Sequence, residues 1–303
     1  VLRTGRIVVF LTAAVSLSGC GDFGVRPGPG EQAGARGVLV CTVAGRTFAL
    51  EPPRSRADFR IKNGTPVKLG DCSHVVRLDI RFADGAESVC SGTLLGAASS
   101  SPVTTVLTAA HCVTPQRPRS ITVSQPALNV STTASHYRAF GGNPGLHLDR
   151  DLDLAVVYLR GPLPGTRAAR LATQPATKGM EMIAMGYGYD ARGTDGNGNL
   201  GSLLAGWVRV DIPGGPNQNV RTLPSVQPPN DPRSQETCAG DSGGPLVAAN
   251  DVETVYGVLS GSNYRGFPSC RNSADSYWQP LPQRRAYIDE ALERGTEGAT
   301  ALP

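Results

Sequence analysis

Ser242 lies in CAGDSGGPL, residues 238–246, with glycine at 240, 243 and 244. Residues without a Cβ let the backbone take positive φ and bring its N–H groups close to a bound atom, which suits a nucleophile. A glycine-rich turn between strands has the same composition, and such turns are common. A serine hydroxyl is a weak nucleophile until a base takes its proton, so this chemistry needs a histidine. The chain offers His74, His111, His136 and His147. His111 stands apart, because in VLTAAHC, residues 106–112, an apolar strand runs into small residues and places an imidazole at its end. A core histidine with its hydrogen bonds satisfied is the ordinary alternative. No metal site is expected, since the cysteines are scattered singly and no Cys-x-x-Cys pair occurs.

What must position these residues follows from composition. A chain of 303 residues, 40% apolar and 18% charged, can bury a sizeable core as one large domain or two small ones. With 37 Gly, 24 Pro and no long 3.6-period apolar stripe before the extreme C-terminus, it reads as many short strands joined by turns. The expected fold class is all-β. The net charge of +4 comes from 29 basic against 25 acidic residues without a dense Lys/Arg run, so no nucleic-acid partner is expected. Asp195, Asn197 and Asn199 alternate like oxygen ligands for calcium, but no Glu closes the pattern, and a surface loop is expected there.

The N-terminus has the form of a targeting segment. Arg3 and Arg6 precede an apolar run, Ile7 to Leu17, which ends in LSGC at Cys20. That run is shorter than the roughly 20 residues a membrane span needs. LSGC resembles the bacterial lipoprotein box, which implies a signal peptide over 1–19, a lipidated Cys20 and a lipid-anchored location in a bacterial cell envelope. Residues 21–37, rich in Gly and Pro, read as a tether. Of seven cysteines, setting Cys20 aside leaves Cys41, Cys72, Cys90, Cys112, Cys238 and Cys270, enough for three disulfides.

VLTAAHC and GDSGGPL in this order resemble the trypsin/chymotrypsin family of serine proteases, over roughly residues 61 to 290. The resemblance implies two six-stranded antiparallel barrels with a cleft between them, and a C-terminal helix from near Leu281 or Gln283 packed down by Tyr287, Ile288 and Leu292. It implies an aspartate on a strand between His111 and Ser242. Of Asp149, Asp151 and Asp153, only Asp153 has the family's Leu-Ala after it and faces into the apolar run. Its implied roles are His111 as base, Asp153 as its orienting carboxylate, and the N–H groups of Gly240 and Ser242 as the oxyanion hole. Cys90 would pair with Cys112 and Cys238 with Cys270, leaving Cys41 for Cys72. Ser260, Gly261 and Ser262 would line the substrate. The loop 96–105 is lengthened, and Gly261 stands where the family often has an aromatic residue.

The activity so implied is that of a monomeric endopeptidase on proteins or peptides, without a cofactor. A protease-like binding module or an esterase using the same triad are the alternatives. Glu236, six residues before Ser242, and Asp275 would make the primary pocket acidic and favour cleavage after Arg or Lys. In the family, a cut before an Ile-Val-x-Gly segment frees an ammonium for the carboxylate preceding the nucleophile. Here that implies Arg60-Ile61 and Asp241, with residues 20–60 as tether and activation segment and 61–303 as the protease domain; Lys62 departs from the family's Val.

Overall fold

The computed structural model describes residues 39–43, 46–50, 65–67, 72–95, 105–114, 116–141, 148–188, 203–224, 237–263 and 275–303. An antiparallel hairpin of β1 (Leu39–Val43) and β2 (Arg46–Leu50) comes first, followed by the short β3 (Thr65–Pro66).

The first barrel is built from β4 (Val75–Phe82), β5 (Glu87–Leu95), β6 (Thr105–Thr108), β7 (Pro118–Gln125), β8 (Val130–Gly141) and β9 (Asp153–Leu159). They run β8-β7-β4-β5-β6-β9, and pairing of β8 with β9 closes the ring. Alternation explains β4: Leu78 and Ile80 point into the core while Arg77, Asp79 and Arg81 point away. Strand β9, DLAVVYL, is buried along its whole length, as its unbroken apolar run requires.

The second barrel follows: β10 (Arg170–Leu171), β11 (Glu181–Gly186), β12 (Leu204–Ile212), β13 (Val220–Pro224), β14 (Pro245–Ala248), β15 (Asp251–Ser262) and β16 (Ser276–Pro280). Its six-stranded ring runs β15-β14-β11-β12-β13-β16 and closes through β15 and β16, with β10 and β3 at its margin. Strand β11 is buried on both faces. Met182 and Ala184 enter this barrel's own core around Trp278, whereas Ile183 and Met185 join the cluster that fills the first barrel. The buried Trp278 indole is satisfied by the Thr222 hydroxyl at 2.8 Å.

Helix α1 (Leu281–Arg294) starts where expected, with Pro282 in its first turn, where a missing N–H costs nothing, and stops at Gly295, φ +54. Ile288 is fully buried and Leu292 packs on the core, but Tyr287 is 37% exposed. Its ring instead lies on Phe140, centroids 5.2 Å apart. The Tyr158 hydroxyl donates to the Ala291 carbonyl at 2.8 Å, which ties the helix to the first barrel, and β17 (Thr300–Ala301) pairs with β8. Among the described residues no helix is long and apolar enough to cross a membrane.

Cys90 and Cys112 form the expected disulfide. Cys238 is disulfide-bonded too, its expected partner Cys270 lying outside the described residues. Cys72 is buried at φ +61 in the turn before β4 and packs in the core; the side chain of Cys41, its expected partner, lies outside the described residues.

Candidate active site

Strand β6 ends at Thr108 and the chain turns once through Ala110–Cys112. The disulfide from Cys112 to Cys90 on β5 holds this turn, so the imidazole of His111 is anchored at its own neighbour. Asp153 opens β9 opposite Gly141 and is fully buried. Its carboxylate accepts the His111 backbone N–H at 2.8 Å through Oδ1, and Oδ2 lies 2.8 Å from His111 Nδ1. A carboxylate at Nδ1 fixes the proton there and leaves Nε2 as the basic nitrogen. Asp149 and Asp151, by contrast, sit in and after the turn before β9 and are at least partly exposed.

A third donor completes the Asp153 shell. The Ser260 hydroxyl reaches Oδ2 at 2.6 Å. Between Leu259, opposite Trp278, and Gly261, opposite Tyr277, the β15–β16 register slips, so Ser260 is the extra residue of a bulge. Bulges re-aim a side chain, and this one sends Ser260 across to the other barrel. The segment before Asp153 is strapped from the second barrel as well: Asn219 Nδ2 donates to the carbonyls of Leu148 and Asp151, and Gln279 Nε2 to that of Asp151. Sequence reading missed Asn219 and Gln279 and assigned Ser260 to substrate. A buried carboxylate that needs donors from elsewhere was the only clue.

Ser242 is half-buried in its turn. Cys112 Sγ lies 3.9 Å from the Ser242 carbonyl oxygen, so the turns carrying His111 and Ser242 are neighbours. Gly240 at φ +91 and Gly243 at φ +81 explain two of the glycines: both occupy backbone conformations that side chains rarely adopt. Among the described residues, the N–H groups of Gly240 and Ser242 donate to nothing, leaving two donors for a developing oxyanion. Asp241 points away from them, buried, accepting the N–H groups of Cys238 and Gly188 at 2.8 Å each. Gly186 and Gly188 make room for it, since a Cβ at either would fall within 2.6 Å of its Oδ1. Burial pushes the Asp241 carboxyl up to about 7, and those two N–H groups only partly offset it.

The expected substrate-facing residues divide. A Cβ at Gly261 would lie 2.9 Å from Leu148 Cδ2, so Leu148 covers the place where a larger residue would stand. Ser262 is buried against Thr237 and Ser276, whose hydroxyls bond to one another at 2.7 Å, while Ser262 also meets Ser276 at 3.1 Å. Asp275 accepts the Tyr277 hydroxyl at 2.8 Å. Glu236, Arg60, Ile61 and Cys20 lie outside the described residues. Cys90, His111 and Cys112 offer ligand atoms within 4.8 Å of one another, but the sulfurs are bonded together and supply no thiolate.

Solved structures with the same fold include HL collagenase, at 18% identity over 77% of this chain and 98% of that one, TM-score 0.55. A scabies mite inactivated protease paralogue, S-I1, matches at 18% over 76% and 99%, TM-score 0.57. Neuropsin, a serine protease expressed in mouse brain, matches at 19% over 76% and 98%, TM-score 0.54. At such identities the likeness is one of fold, and it includes a protein named as inactivated. The family model described as Trypsin, however, matches residues 61–273 and so covers the first barrel and the second as far as β15, past the nucleophile turn. On that match, this chain belongs to the trypsin family of serine proteases.

Proposed function

We propose that the chain is a serine endopeptidase in which Ser242 attacks, His111 transfers the proton and Asp153 orients His111. The observation that carries this is the buried Asp153 carboxylate bonded to both the backbone and the ring of His111. During attack His111 takes the Ser242 proton as the acyl-enzyme forms, then gives it to the leaving amine; water repeats the cycle in reverse. The inactivated mite paralogue makes a binding module the reading to exclude. A fluorophosphonate should label wild type and not Ser242→Ala, and peptide turnover should accompany ester turnover. Absence of labelling, or esters alone, would reject an endopeptidase.

For specificity, the Arg/Lys preference rests on Glu236 and Asp275. Asp275 accepts the Tyr277 hydroxyl, and the described hydroxyls of Thr237, Ser262 and Ser276 contribute no charge of their own. Cleavage after Arg or Lys is expected to exceed cleavage after Leu or Phe, and Glu236→Gln to reduce it about 100-fold by removing the paired charge. Faster cleavage after Leu or Phe in wild type would count against it.

Activation by a cut after Arg60 is supported by Asp241, a buried carboxyl with no cationic side chain of the described residues paired to it. Its folded value, about 7, exceeds its ordinary 3.8, so between these pH values the native chain holds a proton that the unfolded chain has released. This stabilising contribution is whole below the unfolded value and lost as pH rises through the folded one. Uncleaved Ser242→Ala should therefore lose thermal stability from pH 4 to pH 7 more steeply than Ser242→Ala/Asp241→Asn. A new Ile61 ammonium should lower the Asp241 value and flatten the slope. Equal slopes in the two uncleaved variants would argue against it. Lipidation at Cys20, with 21–37 as tether to a bacterial membrane, completes the proposed setting.

A further inference from the structure

Ser91 on β5 is a first-barrel residue wholly enclosed in the protein. Its backbone N–H donates to the Ser242 carbonyl at 2.8 Å, and its hydroxyl donates to the Gly240 carbonyl at 2.9 Å. The same hydroxyl accepts the Tyr187 N–H at 2.9 Å, and Thr108 Oγ1 donates to the Ser91 carbonyl at 2.8 Å. One residue thus holds the two carbonyls on either side of Asp241 and also the strand end, Tyr187, whose successor Gly188 donates to Asp241. The hydroxyl has a single proton, and the Gly240 carbonyl takes it.

We propose that Ser91 is a positioning residue for the oxyanion hole, its hydroxyl fixing the Gly240 carbonyl so that the neighbouring N–H of Gly240 stays aimed at the reacting centre. The inference rests on the triad reading above. Gly240 needs such a holder. At φ +91 and without a Cβ it has little steric resistance to rotation, so hydrogen bonds must select its orientation. The peptide after it is pinned at both ends, the carbonyl by Ser91 and the Asp241 N–H by the Cys238 carbonyl at 3.0 Å. Without the hydroxyl, the Gly240 carbonyl and the Tyr187 N–H both become buried groups lacking a partner, and the rotation that relieves them moves the oxyanion donor. His111 and Asp153 are not among the groups Ser91 bonds, so their proton transfer should be untouched.

The test uses the full chain with Ser91→Ala and Ser91→Cys, the second keeping the side chain's size with a weaker donor. Steady-state peptide hydrolysis, thermal midpoints and the affinity of a peptide trifluoromethyl ketone are measured for each. The ketone's hemiketal oxygen occupies the oxyanion hole, whereas KM reports ground-state binding. In Ser91→Ala, kcat should fall about 10- to 100-fold and ketone affinity in parallel, with KM within about threefold and the pH profile unshifted. Ser91→Cys should fall between Ala and wild type at a near wild-type midpoint. Wild-type kcat and ketone affinity in either folded variant would overturn the proposal, and so would a loss confined to KM. If Ser91→Ala does not fold, Ser91→Cys decides by the same criteria. A wild-type chain that neither hydrolyses peptides nor reacts with fluorophosphonate would fail the triad reading instead, a distinct result.

Discussion

Ser242→Ala is expected to lower peptide kcat by at least about 10⁴-fold while leaving the fold intact. Ser242 is half-buried in its turn and its hydroxyl has no hydrogen bond among the described residues, so its loss should remove the bond-forming atom and little else. His111→Ala should cost a comparable factor, because the serine then has no base. The double variant should cost scarcely more than either single one, since the groups act in one proton transfer. Asp153 differs. It is buried on three donors, so Asp153→Ala leaves the His111 N–H, the His111 ring and the Ser260 hydroxyl without their acceptor and should lower stability as well as kcat. Burst kinetics and far-UV melting of the four variants check this. Near wild-type turnover in Ser242→Ala would mean another residue attacks, and multiplying losses would mean the residues act separately.

Gly141→Ala should be destabilising by about 3 kcal/mol or more and lower the melting midpoint by roughly 6–12 °C. Gly141 has φ +82, and a Cβ there would fall 1.7 Å from the Leu152 carbonyl oxygen. That neighbour is backbone and cannot swing aside. The clash lies next to Asp153, which pairs with Gly141 across β8 and β9, so relief must shift the carboxylate bonded to His111. A reduced kcat at temperatures where the variant is still folded is therefore expected in addition. Gly179→Ala, also at positive φ but with nothing near the added Cβ, is the comparison that isolates the conformational cost from the clash. A Gly141→Ala midpoint equal to that of Gly179→Ala would show that β8 and β9 can spread at no cost.

Neither Gly141 nor Ser91 could be singled out from the chain itself. Gly141 is one of 37 glycines and its requirement comes from a carbonyl that only strand pairing brings near. Ser260 was legible as part of a substrate-lining strand, but its turn toward Asp153 depends on a bulge, which periodicity cannot foresee. The charge of Asp275 was visible in sequence, and its bond to Tyr277 is a matter of rotamer and neighbour. Counting cysteines says how many bridges are possible, whereas the burial of Cys72 in the core is a matter of tertiary packing.

The candidate reactive residues and the strand-rich fold class were legible along the chain. A nucleophile needs its glycines and a base its strand end within a few neighbouring positions, and strands betray themselves by local alternation and turn chemistry. Helix α1 was expected from the family resemblance, and it runs Leu281–Arg294. Only the packed fold fixed which groups reach Asp153 and the Ser242 turn from a distance. Ser260, Asn219 and Gln279 support Asp153 or the segment before it from 68 or more positions away, since the nearest of these bonds, Asn219 to the Asp151 carbonyl, spans 68 residues and that of Ser260 spans 107. Ser91 reaches Gly240 across 149 residues. A buried carboxylate and a Cβ-less loop each create a demand for hydrogen bonds that is local, but the closure of two rings onto one another decides who meets it.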